Sequence, residues 1–580
     1  MDKITVYKRL LSYLKGYRLR LTVVLLFAAL STVFMVLAPY VMGLITTTLF
    51  SGIRTGHFDG SRIVSLLLVL GALYCIAQLF ALLQGFGMAR LTTNVMQNLR
   101  QDIHEKMQRL PLNYYDSHTH GDVLSVITND VDIINNTISQ SLTTIVTQVV
   151  TAIGILLMML MISPVLTIIP VLMVPLSLLS AAGVMKASGK HFQTQQGLLG
   201  TLNGYIEENY NGHQVVQAFG YQERAKAHFA QLNEKLRESA CKAETTSGAI
   251  TPITAMVNDM GYVVCAAVGC IWAVAGKITI GNVQAMMEYT YKFEEPFSTL
   301  AGMAGSLAAT GAAGERIFDL LDTEEESAED ASAQALQVKN GCVRFENVQF
   351  GYTKDAPLMK DISFTVEPGQ KVAIVGPTGA GKTTLINLLM RFYEIDGGRI
   401  LVDGVDCRAL TRAELRQHFG MVLQDTWLFE GTIAQNIAFA NDQLSREEIV
   451  AAAQSACAHD FIKTLPGGYD MILNEGAENI SQGEKQLVTI ARAIAADPEI
   501  MILDEATSNV DTHTEALLQK AMKRIMHGRT SFVIAHRLST IRDADVILYM
   551  EEGDIKEMGS HQMLMKKNGR YAALYRSQFA

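Results

Sequence analysis

The residues best placed to do chemistry lie between Lys371 and Thr384, in the run KVAIVGPTGAGKTT. An apolar, β-branched stretch ending at Val375 breaks into Gly376-Pro377-Thr378-Gly379-Ala380-Gly381, followed by Lys382, Thr383, Thr384 and a helical pattern, LINLLM. The spacing G-x-x-x-x-G-K-[ST] predicts strand, phosphate-binding loop and helix. Glycines let successive backbone N–H groups turn in on a polyphosphate, and the helix N-terminus adds its positive dipole end. Lys382 is expected to reach the β- and γ-phosphates and the Thr383 hydroxyl to hold Mg²⁺. Two further groups belong with this loop. The apolar strand EIMILDE ends in Asp504, placed to orient Mg²⁺ and its waters, and Glu505, placed to polarise a water for attack on the γ-phosphate. His536 ends another apolar strand, SFVIAH. In an open α/β fold all of these collect at the carboxyl edge of the sheet.

These groups sit in the second half of a chain whose composition is split. Of its 580 residues, those before about Gly281 are dominated by long apolar runs, and those after about Asp319 read as an α/β domain. The net charge of −9 indicates no affinity for nucleic acid. The seven cysteines form no C-x-x-C pair and no cluster with histidine, so they read as reduced structural thiols. The first apolar run is too long for a cleavable signal.

Residues 3–20 interleave six Lys and Arg with Val6, Tyr7, Leu10, Leu11 and Leu14, a basic amphipathic helix suited to the inner membrane surface. Residues 21–53 and 63–89 carry no charge and each can span a bilayer, while 133–185 is uncharged for long enough to span it twice, with Ser163-Pro164 at the turn. A fifth span is expected near 250–275 and a sixth, weaker by hydropathy, from about Gly281. Lys and Arg crowd the N-terminus and the two long loops, which puts both termini and those loops in the cytoplasm. Charges within spans cost roughly 2.5–3.5 kcal/mol each. Asp259 falls in the fifth span, and Glu288, Lys292, Glu294 and Glu295 lie along the sixth. Glu288 and Lys292 are spaced to pair on one helical face. The remaining acids are expected to face a water-filled cavity, with Asp259 or Glu295 binding a cationic or polar substrate. The stretches 121–132 and 207–219 mix polar and apolar residues at helical spacing far from the membrane and suit docking onto a soluble domain.

Asn479–Ala493, NISQGEKQLVTIARA, opens a helix with a Ser-x-Gly cap shortly before the acidic strand. With it, the order of motifs resembles the ATP-binding cassette family: an aromatic at Tyr352, the phosphate loop at 376–383, Gln424, a signature at 480–484, the acidic strand at 500–505, SNVD at 508–511, then His536. The six-span layout is similar to the exporter type of that family, whose half-transporters fuse one membrane domain to one nucleotide-binding domain. The resemblance implies a helical membrane bundle joined to an α/β P-loop ATPase. Its expected parts are an interfacial helix (1–20), a six-span domain (21–318), a linker (319–340) and a nucleotide-binding domain (341–580), in a bacterial inner membrane. It further implies ATP and Mg²⁺ as cofactors and two chains sandwiching two ATP molecules. Glu505 would be the base and His536 the γ-phosphate switch. Tyr352 would stack on the base, and Gln424 would couple Mg²⁺ to the membrane domain. Ser481, Gln482, Gly483 and Glu484 would act on the partner chain's ATP. Asp511 would lie at the dimer seam, and the loop tips near 113–120 and 208–218 would be coupling helices.

The chain departs from the family pattern in three places. Gln482 stands where glycine is usual, Asn509 where alanine is commoner, and Val126 where many relatives carry an arginine before T-x-D. The first two, with Glu505 and His536 intact, resemble the catalytically complete chain of heterodimeric multidrug exporters. The third leaves the salt bridge of that loop without its usual arginine. The resemblance implies ATP-driven export of amphipathic or drug-like molecules by alternating access. It also accommodates import of a metal–siderophore complex and a homodimeric lipid or peptide exporter.

Overall fold

The computed structural model describes residues 3–327, 340–353, 356–423, 426–504, 511–535 and 541–579. The chain divides into two compact units, residues 1–108 with 119–323 and residues 109–118 with 324–580.

The first unit is helical. Its elements are α1 (Lys3–Tyr13), α2 (Arg18–Thr55), α3 (Gly60–Arg109), α5 (His120–Ser125), α6 (Val131–Asn136), α7 (Leu142–Ile162), α8 (Pro164–Asn211), α9 (His213–Ala218), α10 (Gln222–Gly248), α11 (Ile250–Val274), α12 (Ile280–Phe293) and α13 (Glu295–Asp322); the short α4 (Leu112–Ser117) belongs to the second unit. Spanning a bilayer takes about 20 helical residues. Helices of 50 residues (α3) and 48 residues (α8) therefore outrun it by a wide margin. Among the described residues five helical stretches are long and apolar enough to cross a membrane: Lys15–Thr55, Gly60–Arg109, His120–Ile162, Pro164–Asn211 and Gln222–Val274. The sixth expected span corresponds to α12 and α13. The chain breaks between them: α12 has only 14 residues, α13 is diluted by Gly, Ala, Ser and Thr, and Pro296, in the first turn of α13, supplies no N–H to continue the α12 ladder.

Two expectations change in this unit. Protein covers part of the apolar surface of α1: Val6, Leu10 and Leu14 are buried where the helix packs on α13, while Ile4 and Leu11 are exposed. Gly311 and Gly314 make that approach possible, since a Cβ at Gly314 would stand 2.6 Å from Val6 Cγ1. Tyr7 Oη donates to Leu307 O at 2.5 Å, Arg9 Nη2 donates to Asp322 Oδ1 at 2.9 Å, and the Arg9 guanidinium lies 4.2 Å from the Phe318 ring centroid. The second change concerns the loop that lacks an arginine at Val126. Asp130 is buried and takes its arginine from α13 instead: Arg316 Nε donates to Oδ2 at 2.8 Å and Nη2 closes the fork on Oδ1. A buried carboxylate requires such a partner, and here it comes from 186 positions along the chain. The backbone widens into π-helical turns at Val126–Asp130 and Thr137–Ser141, the two places where Asp130 and Thr137 reach α13.

The second unit is built on β1 (Val343–Phe350), β2 (Met359–Val366), β3 (Lys371–Val375), β4 (Gly397–Val402), β5 (Val405–Asp406), β6 (Phe419–Val422), β7 (Gly431–Thr432), β8 (Ile472–Leu473), β9 (Ile500–Asp504), β10 (Thr530–Ile534), β11 (Val546–Glu551) and β12 (Asp554–Gly559). The main sheet runs β12-β11-β3-β10-β9-β6, parallel apart from β12, beside a four-stranded antiparallel sheet β2-β1-β4-β5. β3, β9 and β10 are buried almost throughout, as continuous apolar runs in a covered parallel sheet should be. All seven cysteines are free thiols, and burial pushes the Cys407 thiol up to about 12, which makes it unreactive at neutral pH.

Candidate functional site

The register of the main sheet brings the predicted chemistry to one edge. Ile534 on β10 pairs with Ile374 on β3 and with Asp504 on β9, so the three strands end at the same level. From that level the chain leaves β3 into the phosphate loop, β9 at Asp504 and β10 at Ala535. Glu505, His536 and Gln424 lie outside the described residues, and so do Ser508–Val510 of the SNVD run.

The phosphate loop has the geometry its glycines predict. Gly376, Gly379 and Gly381 take φ of 157°, 82° and 94°, a region that disfavours side chains. Gly381 is the N-cap of α14 (Lys382–Leu389), and no side chain caps its amides. The start of α14 is thus a set of N–H groups and a dipole end suited to an anion. Pro377, Thr378, Gly379 and Thr383 are exposed on the loop, while Ala380 is packed beneath it and accepts from Gly553 N at 3.1 Å. Lys382 Nζ donates to Gly376 O and Pro377 O, both at 2.9 Å, and so stays over the loop. Burial lowers its pKa, opposed by the nearby Asp504 carboxylate. An ammonium half withdrawn from water and held over free amides, with an exposed hydroxyl at Thr383 and a carboxylate at Asp504, is a donor set that fits a nucleoside triphosphate with Mg²⁺.

Thr384 points elsewhere: its hydroxyl is buried and lies 2.9 Å from Tyr352 Oη. Tyr352 is therefore fixed beside the loop with its ring half exposed, edge-on to Phe350 and to Tyr393 at centroid separations of 5.0 Å and 5.2 Å. Tyr393 in turn hydrogen-bonds to Asp116 of α4, and burial followed by that carboxylate raises its phenol pKa. Sequence reasoning missed Tyr393; the one available signal was an aromatic pair, Phe392-Tyr393, just past the end of the phosphate-loop helix.

The signature segment caps its helix, Gln482–Ala495, with Ser481 in a capping box: Ser481 N donates to Glu484 Oε2 at 2.8 Å and Glu484 N to Ser481 Oγ at 3.4 Å. Gly483 is buried, and the exposed Gln482 donates from Nε2 to Thr426 Oγ1 at 3.3 Å. Asp511 caps the next helix, accepting from His513 N and Thr514 N at 3.0 Å, and hydrogen bonding from the Thr514 side chain, then from these amides, holds its carboxyl below the usual range.

In the helical unit a cavity of about 600 Å³ is lined by Thr46, Asp259, Tyr262, Gln284, Glu288 and Tyr291 among others. Lys292 Nζ donates to Glu288 Oε1 at 2.8 Å, the pairing their spacing predicts. Of the four expected cavity residues, Asp259 and Glu288 line it; Lys292 and Glu295 do not. Glu295 opens α13 just after the interruption at Glu294, and Glu294 accepts from Ser177 Oγ at 2.6 Å.

Comparison with known proteins agrees with this geometry. Residues 21–292 match the model of the ABC transporter transmembrane region, and residues 359–508 match the model described as ABC transporter. The chain is 40% identical over 572 residues to an uncharacterized ABC transporter ATP-binding protein of Bacillus subtilis, covering 99% of this chain and 94% of that one. It is 46% identical over 506 residues to a fatty acid ABC transporter ATP-binding/permease protein of Mycobacterium bovis, covering 87% and 80%. A solved bacterial Atm1-family ABC exporter with ATP bound superposes with a TM-score of 0.75 at 30% identity, covering 97% of this chain and 98% of that one.

Proposed function

The chain belongs to the ABC transporter family and is an exporter-type transporter that couples ATP hydrolysis to transport; we propose that its substrate is a cationic or polar amphipathic molecule of drug-like size, exported as one half of a heterodimer. The observation that carries the substrate class is the cavity of about 600 Å³ with Asp259 and Glu288 in its wall. Lys292 offsets Glu288, which leaves the Asp259 carboxylate as the charge available to a ligand. Tyr262 and Tyr291 add aromatic surface that a cation favours. ATP and Mg²⁺ sit at the sheet edge, where Lys382 and the α14 amides hold the phosphates, Thr383 and Asp504 hold the metal, and Tyr352 takes the base. Glu505 is the base, His536 contacts the γ-phosphate and Gln424 relays the state of the site. The transporter works as a dimer in the bilayer. Ser481, Gly483 and Glu484 of this chain then close on the partner chain's ATP, with Asp511 at the seam. The chain resides in a bacterial cytoplasmic membrane, both termini inside. The exposed tips at Val215 and Phe219 dock on a nucleotide-binding domain, and α4 is the other coupling element.

Asp259→Asn is expected to slow ATP-dependent uptake of a monocationic amphiphile into inside-out vesicles about tenfold, the value of one charge-assisted contact. Uptake of a neutral analogue is expected to stay unchanged. The fatty-acid relative gives a second reading, an acyl-chain carboxylate as cargo. Asp259 would repel that carboxylate, so the same substitution would raise fatty-acid transport. Unchanged transport of both would remove Asp259 from the substrate site.

Gln482 supports the heterodimer. Its side chain and its bond to Thr426 occupy a position that glycine leaves open for close approach. Purified with its chromosomal neighbours co-expressed, the tagged chain is expected to carry a second chain of similar size whose acidic strand lacks the residue equivalent to Glu505. A homodimer that hydrolyses ATP by itself would overturn the asymmetric arrangement.

A further inference from the structure

A second groove, of about 780 Å³, lies between α2 and α3 and has no part in the transport cycle described above. Its wall changes character along its length. Val23, Phe27 and Leu83 belong to the uncharged runs of the two spans, whereas Arg20 and Arg90 stand at the ends of those runs, with Thr93 and Asn94 just beyond. By the distribution of Lys and Arg that end is cytoplasmic. Arg20 to Phe27 rises about 10 Å along the helix, so the groove reaches from the headgroup layer into the start of the acyl region. The contacts that bound it are tight. Val24 fills the place of the missing side chain at Gly87, where a Cβ would come within 2.6 Å of Val24 Cγ2. The Phe27 and Phe80 rings lie 5.6 Å apart, and Ser31 Oγ donates to Ala77 O at 2.8 Å.

The two arginines set this groove apart from an ordinary lipid-facing surface. Both guanidiniums are exposed, they come from different helices, and among the described residues neither has a carboxylate partner. The Arg20 guanidinium lies 5.9 Å from the Tyr17 ring centroid. Elsewhere in the same unit Arg100 pairs with Asp132 at 3.0 Å and Arg316 with Asp130. A lone arginine at a helix end needs only water. Two unmatched planar forks opening on one groove fit a phosphodiester, which accepts from both. We propose that the α2–α3 groove seats an anionic phospholipid of the cytoplasmic leaflet, its phosphate between Arg20 and Arg90 and an acyl chain along Val23, Phe27 and Leu83. Basic pockets between helices at the cytoplasmic boundary recognise anionic headgroups in this way.

The test uses the assembled full-length transporter in nanodiscs. Phe27→Trp places a fluorophore in the groove, with the protein lacking that substitution as background for the native tryptophans. Brominated phosphatidylglycerol, diluted into phosphatidylcholine discs, is expected to quench it at mole fractions where brominated phosphatidylcholine does not. Adding Arg20→Gln and Arg90→Gln is expected to raise the required mole fraction roughly thirtyfold, and Arg20→Lys with Arg90→Lys to restore part of the preference. Equal quenching by the two lipids would mean ordinary annular contact and overturn the proposal. Absence of quenching by either would mean that another protein surface fills the groove, with the same consequence. If the double glutamine variant does not assemble, Arg90→Gln alone carries the comparison, with an expected loss of about fivefold.

Discussion

Glu505→Gln is expected to lower steady-state ATP turnover by about 10²–10⁴-fold, the usual contribution of a positioned general base, with nucleotide affinity held within about threefold. The reasoning starts from β9. Its register with β10 sets Asp504 level with Ile534, at the edge where β3 releases the phosphate loop. Glu505 is the next residue in the chain, and a carboxylate can take a proton from water where an amide cannot. Glutamine keeps the size and much of the hydrogen bonding of glutamate, so binding, which rests on Lys382 and the α14 amides, is expected to survive. Turnover measured against equilibrium binding of a fluorescent ATP analogue separates the two. A heterodimer sharpens the result: with one competent base per complex the substitution silences the whole transporter. Wild-type turnover in the variant would remove Glu505 from the role.

The parts of the molecule that were legible in advance share one property: the chemistry is written in consecutive residues. Gly376, Gly379 and Gly381 specify their own backbone, and the uncharged runs at 21–53 and 63–89 specify spans by length alone. The capping box at Ser481 and Glu484 is equally local. What could not be read depends on partners far along the chain. A basic amphipathic segment predicts an apolar stripe, but how much of it protein covers depends on Gly311 and Gly314, some 300 positions on, and in α1 protein covers Val6, Leu10 and Leu14. Asp130 lost its expected arginine at Val126 and found another on α13. Tyr352 was read as an aromatic for a base, but nothing local indicates that its hydroxyl meets Thr384 or that its ring meets Tyr393. The acids of the sixth span illustrate the boundary between the two cases. The i,i+4 pairing of Glu288 with Lys292 follows from helical geometry, whereas Glu295, which opens α13 after the interruption at Glu294, is not among the residues that line the cavity with Asp259 and Glu288.

Lys382→Ala is expected to weaken ATP binding by about two orders of magnitude or more, since truncating one partner of a partly desolvated charge pair costs roughly 2–5 kcal/mol. The proton linkage of this site gives a more specific signature. Burial lowers the pKa of Lys382 before nucleotide arrives, and only the Asp504 carboxylate opposes that shift. Phosphate oxygens favour the ammonium form, so binding raises the pKa again. At neutral pH the amine is protonated in both states and binding moves no proton through it. As pH rises through the lowered pKa of the free site, the fraction that must be protonated on binding grows. ATP affinity then falls with pH and binding takes up protons from solution. Calorimetric titration of ATP in buffers of different ionisation enthalpy reads that uptake directly, with hydrolysis suppressed by Glu505→Gln. Uptake is expected to increase on the alkaline side in the parent protein and to vanish with Lys382→Ala, whose residual binding should lose that pH dependence. A lysine left in water would titrate higher and show the uptake only at more alkaline pH. The pH at which uptake begins therefore measures how far the loop has withdrawn Lys382 from solvent, a property that its two bonds to Gly376 and Pro377 already indicate.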